Sequence, residues 1–134
     1  MTGRALGLLD TTVFIAREGG RELAEDRLPE ESAVSVVTLA ELRTGVLAAP
    51  DTGLRAQRLA TLSVAQAMSV LGIDEAVAEA WALLRVRLAE LSRRVNVNDL
   101  WIASTAVAHD LPVVTQDSDF DPIEGVGGLT VVRV

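Results

Sequence analysis

The chain has 134 residues, 49% hydrophobic and 23% charged, which suits one compact folded domain over residues 1–134 and is too apolar for a disordered chain. It has no cysteine and a single histidine, His109. Disulfide frameworks, zinc fingers and cysteine nucleophiles are therefore excluded, and a zinc enzyme or a Ser-His-Asp hydrolase would have to be built around that one imidazole. The net charge is −7 and all twelve basic residues are arginine, so any polyanionic ligand would have to be met by a local basic patch and a bound metal rather than by general electrostatic adhesion.

Residues 5–9 (ALGLL) form a short apolar run that ends at Asp10 and read as a buried strand. A short helix is expected over 12–17, broken by Gly19-Gly20, and a polar amphipathic segment over 21–28 stops at Pro29. Residues 33–37 (AVSVV) read as a second buried strand. Helical periodicity over 38–49 and again over 53–67, separated by the Pro50–Gly53 turn, predicts a helical pair. A strand over 68–73 then leads to Asp74, which caps a long helix to about residue 92 with an apolar stripe at Val77, Ala80, Trp81, Leu84, Leu88 and Leu91. Asn98 is read as opening a further helix to about residue 110, followed by a strand at 113–115, the Gly-rich turn at 125–128 and a closing strand at 129–134. Strands alternating with helices imply an α/β fold with a mainly parallel central sheet of four to five strands flanked by helices. No apolar run reaches the roughly 20 residues that span a bilayer, and the opening MTGRALGLLDTTVF lacks the apolar h-region and cleavage site of a signal peptide, so a cytoplasmic location is expected.

Carboxylate is the abundant reactive group. In open parallel sheets, ligands bind beyond the carboxyl ends of the strands. Asp10 ends the first strand and Asp117 follows the 113–115 strand, while Glu41 and Asp99 fall in the first turns of expected helices. Four carboxylates on one rim would repel each other and take up protons unless they shared a cation. Hard oxygen ligands select Mg²⁺ or Mn²⁺, with Ca²⁺ as a further candidate, over softer metals, and Mg²⁺ or Mn²⁺ at such a site suits phosphodiester hydrolysis.

The segments LLDTTVFI, VVTLAELRTGV and VNVNDLWIASTAVAHDLPVVTQDSDFD, with the closing apolar strand, resemble the PIN-domain ribonucleases, and among them the VapC toxins of bacterial toxin-antitoxin modules. The resemblance runs from Leu8 to Val134. It implies a PIN-like fold and a metal-dependent endoribonuclease in which Asp10, Glu41, Asp99 and Asp117 are catalytic and hold Mg²⁺ or Mn²⁺. Thr11, beside the first acid, Thr115 and Asp119 are implied as supporting residues, with Asp119 at the edge of the site. A homodimer and a cognate VapB-type antitoxin that blocks the acidic site are the implied partners.

Each residue also has a structural duty open to it. Thr38 to Glu41 has capping-box spacing, with Glu41 reaching back to the Thr38 amide, and Asp99 sits favourably beside the positive end of a helix. Asp10 is harder to place that way, because a carboxylate ending an apolar strand must be desolvated against something. Residues 117–121 outline a calcium loop but continue with Pro122 and Gly128 where Gly and Glu are required, which leaves Asx-turn roles for Asp119 and Asp121. His109 suits a charge-dipole or packing role at a helix end. Arg43, Arg85, Arg87, Arg93 and Arg94 are candidate phosphate contacts. An aspartyl-phosphate enzyme would need a lysine, which this chain lacks. The rival of a different class is a PIN-like binding or regulatory module with little or no nuclease activity.

Overall fold

The computed structural model describes residues 5–134, so Met1–Arg4, the beginning of the stretch read for a leader, lie outside the described residues. Five strands, β1 (Leu6–Leu9), β2 (Glu31–Ser35), β3 (Ser69–Leu71), β4 (Val113–Thr115) and β5 (Val131–Arg133), form one sheet in the order β3-β2-β1-β4-β5. Every pairing is parallel. Five helices connect them: α1 (Thr11–Glu18), α2 (Val36–Leu47), α3 (Thr52–Gln66), α4 (Glu75–Glu90) and α5 (Val97–Ala108). No helix of the described residues is long and apolar enough to cross a membrane.

Side chains alternate across a strand, and here both faces are covered, so the strands read as unbroken apolar runs. Leu8, Ala33, Val113 and Val131 point to one face, where they pack with Leu84 and Leu88 of α4 and Ile102, Ala103 and Ala106 of α5. Leu9, Val34 and Val114, each one residue further on, point to the other face with Val13 and Phe14 of α1, Leu42 and Val46 of α2, and Leu62 and Ala65 of α3. The register that stacks Leu8 beside Ala33 and Val113 holds both layers in phase.

The helices begin where side chains can satisfy their first amides. Ser35, Asp51 and Asp74 each accept a backbone N–H at the start of α2, α3 and α4. Two expected boundaries move for this reason. Ser35 Oγ accepts from Val37 N at 3.0 Å, so the chain turns helical two residues before Thr38, and Val36 and Val37 leave the expected strand for α2. Asn96 rather than Asn98 caps α5, its Oδ1 accepting from Asn98 N at 2.8 Å.

β1 lies at the centre of the sheet, with β2 on one side and β4 on the other. The chain leaves β1 towards β2 and β3 and later crosses back to lay β4 against β1. The carboxyl ends of β1 and β4 therefore flank the place where strand order reverses, which opens a crevice in a parallel sheet.

Candidate active site

Asp10 follows β1 at that crevice and is only 2% exposed. Its backbone N–H extends the sheet by donating to Val114 O at 2.9 Å. Its carboxylate caps α1: Oδ1 accepts from Thr12 N at 2.9 Å. Oδ2 accepts from the Thr12 hydroxyl at 2.8 Å and from the Thr115 hydroxyl at 2.5 Å. Burial raises the pKa of this carboxyl from its ordinary value; the hydrogen bonds from Thr115 and Thr12 oppose that rise, and the charge of Asp117 adds to it. The desolvation expected from sequence is thus present and partly compensated by three donors.

Thr115 is the last residue of β4 and is fully buried, so its hydroxyl is fixed by the sheet. It joins two acids: it donates to Asp10 and receives the Asp117 N–H at 3.3 Å. Asp117 Oδ1 in turn accepts from Asp119 N at 2.9 Å. The Asx-turn residue of this loop is therefore Asp117, not Asp119. Asp121 also departs from its expected turn role, since it pairs with Arg133 on β5. The loop is anchored just beyond Asp119 by Phe120, which is buried in the α4–α5 core. Burying a phenyl ring contributes about 1.5–3 kcal/mol, so the core fixes where Asp117 and Asp119 stand.

Glu41 lies in the sixth position of α2 and makes no capping box. Its Oε1 accepts from the Thr11 hydroxyl at 2.6 Å, and its Oε2 accepts from Asn98 Nδ2 at 3.3 Å. The buried Thr38 hydroxyl stands 3.0 Å from that of Thr11. Glu41 thereby bridges the starts of α1 and α5, a tertiary role in place of the expected local one.

Asp99 occupies the first turn of α5 without capping it. Its carboxyl is pushed up to about 7, first by burial and then by the charges of Asp10, Asp119, Glu41 and Asp117. Those four groups act on Asp99 from three places, the end of β1, α2 and the loop after β4, so the fold brings all five acids read from sequence into one electrostatic neighbourhood. Among the described residues no three Asp, Glu or His side chains are drawn close enough to form a finished metal cage. The donor set is nonetheless that of a hard divalent cation: carboxylate oxygens with threonine hydroxyls between them, and only acids among the charges that act on Asp99.

The sequence reading gave no role to Thr12 or Asn96 and read Thr38 and Asn98 only as helix-start residues, not as neighbours of the acids. The doubled threonine after Asp10 was the available signal for Thr12, and Asn98 adjoins an acid already singled out. His109 is the exposed C-cap residue of α5 and stands outside the site.

The family model of the PIN domain matches residues 7–126. Ribonuclease VapC5 of Mycobacterium tuberculosis is 53% identical over 133 residues, covering 99% of this chain and 98% of that protein. The chain belongs to the VapC family of PIN domains. Ribonuclease VapC4 of the same organism is 48% identical over 92% of this chain and 95% of its own length. The crystal structure of VapBC-5, a member of the VapBC family of toxin-antitoxin systems from Mycobacterium tuberculosis, superposes with a TM-score of 0.90 at 52% identity, covering 97% of this chain and 99% of that one. VapBC2 from Rickettsia felis, at 22% identity and a TM-score of 0.79 over 96% and 98% of the two chains, shares the VapC fold.

Proposed function

We propose that this chain, as one PIN domain over residues 1–134, is a metal-dependent endoribonuclease toxin of the cytoplasm that hydrolyses phosphodiester bonds in RNA. The observation that carries the reading is the environment of Asp99: a carboxyl pushed up to about 7 by burial and by four further acids. Such a group is costly to keep ionised alone and becomes favourable beside a divalent cation. Asp10, Glu41, Asp99 and Asp117 would hold Mg²⁺ or Mn²⁺. A bound ion of this kind supplies charge neutralisation at the phosphodiester and a lowered pKa for the attacking water.

The protein's own contribution is to hold its oxygens ready. Thr115 and Thr12 fix both Asp10 oxygens, and Thr11 and Asn98 fix those of Glu41. Asp117 is oriented by the loop that it closes, and Asp119 stands beside it as a supporting residue. The solved VapBC relatives support a VapB-type antitoxin as partner of this chain, and we extend that reading to a homodimer with RNA as substrate.

The deciding experiment is Asp10→Asn. Asparagine is as good an N-cap as aspartate, so α1 is expected to survive while the charge at the centre of the site is lost. RNA cleavage by wild type is expected with Mg²⁺ or Mn²⁺ and is abolished by EDTA and by the substitution. Equal cleavage by the two proteins, or indifference to chelation, would sink the metal-nuclease reading, whereas absence of cleavage by wild type would favour a binding module.

A further inference from the structure

Three of the five arginines that the sequence offers for phosphate contact gather around one trough. It has a volume of about 630 Å³ and lies where the C-terminal half of α4 meets the segment leading into α5, with Trp81, Arg85, Leu88, Arg93, Arg94 and Leu100 in its wall. A second depression of about 430 Å³ ends on Asp99 and Asp119. Both include Arg94 and Val95, so one continuous path leads from the carboxylates to the arginines.

The groups along this path are available. Ion pairs among the described residues engage Arg17, Arg87 and Arg133, but neither Arg85 nor Arg94. Arg93 is steered by a hydrogen bond from Nη1 to Pro122 O at 3.2 Å. Trp81 stacks on Trp101 with ring centroids 5.1 Å apart, yet its indole N–H is buried without an acceptor. Buried donors in native proteins rarely go unpaired, and the cost of one is removed by a ligand rich in acceptor oxygens.

We propose that this trough is the RNA-binding subsite: an unpaired strand sets its scissile phosphate at the acidic end and lays the neighbouring phosphates on one side against Arg94 and Arg85. The Trp81 N–H then donates to an oxygen of the strand. This rests on the ribonuclease reading above. Guanidinium forks match phosphate oxygens in shape as well as charge. In a chain of net charge −7, three of them on one wall favour a polyanion over a peptide. Pockets of roughly 300–1,000 Å³ enclose ligands of drug size, so the trough admits single nucleotides in succession, the form in which RNA is usually read.

The test is binding of a fluorescein-labelled, unstructured 12-nucleotide RNA in EDTA, followed by anisotropy over a range of salt, with cleavage in Mg²⁺ measured separately. Arg85→Ala and Arg94→Ala are each expected to weaken binding about 5- to 10-fold at low salt and to lower the salt slope by about one. Arg27→Ala, in the exposed 3-10 turn before β2, is expected to change neither. Trp81→Phe keeps the ring stack and is expected to lose about 3- to 10-fold in affinity with no loss of melting temperature. Unchanged affinity and slope in the two trough variants, or an equal loss in Arg27→Ala, overturns the proposal. So does a change of particle mass by light scattering with RNA binding intact, which makes the trough a protein interface. A wild type that cleaves RNA while its trough variants bind normally refutes the trough alone; a wild type that neither binds nor cleaves refutes the ribonuclease reading itself.

Discussion

Asp99→Asn isolates the electrostatic cost of gathering these acids. Burial and the neighbouring carboxylates push the Asp99 carboxyl from 3.8 to about 7. The folded protein therefore binds this proton more tightly than the unfolded chain does. The stability that Asp99 contributes is complete below pH 3.8 and is lost as pH rises through about 7. A shift of that size is worth at most about 4 kcal/mol, or on the order of 10 °C in Tm for a chain of this length. Chelated wild type is expected to melt progressively lower between pH 5 and pH 8. The Asn variant loses most of that slope, and at pH 8 it outlasts wild type while remaining inactive. Mg²⁺ should raise Tm at pH 8 in wild type more than in the variant. Thermal unfolding followed by circular dichroism in EDTA measures each of these. A wild-type Tm that does not fall from pH 5 to pH 8, or a variant no more stable than wild type at pH 8, would refute the electrostatic argument.

Thr115→Val keeps the shape of a fully buried side chain but removes the hydroxyl that donates to Asp10. It is expected to cost about 1–3 kcal/mol in urea unfolding and to raise the Mg²⁺ concentration needed for half-maximal cleavage. Asn96→Ala deletes the cap of α5 and is expected to cost about 1 kcal/mol, with faster amide exchange confined first to the turn that carries Asp99. Gly127 has a φ of +61° and leaves room for no Cβ, which would stand 2.7 Å from Leu84 Cδ2. Gly127→Ala is therefore expected to lose roughly 2–3 kcal/mol, read as a lower midpoint at unchanged m-value.

The strands that frame the site are legible because burial on both faces leaves a plain record: ALGLL before Asp10 and VVT before the aspartate loop need no partner to be recognised. The acids at their ends are legible for the same reason. The duties of those acids are not. Sequence spacing assigns capping to Glu41 and Asp99 and none to Asp10, whereas the fold makes Asp10 the cap and frees the other two. Local pattern could not show this, because the frame of α2 was decided by Ser35, two residues inside an expected strand of β-branched residues. Glu41 finds its partners at Thr11 and Asn98, 30 and 57 residues away. The trough likewise exists only through the packing of α4 on α5, which brings Arg85 and Arg94 to one wall.

The contact between Thr115 and Asp10 joins residues 105 positions apart, and this distance acts as a timer during synthesis. Chains emerge at about 5–20 residues per second, so roughly 5–20 s separate the appearance of Asp10 from that of the strand that completes its surroundings. Until β4 slots in beside β1, Asp10 lacks its shortest hydrogen bond and Asp117 is absent. A nascent chain built this way carries an unfinished acid cluster until its last two strands arrive, so an antitoxin that blocks the site is needed only from that moment.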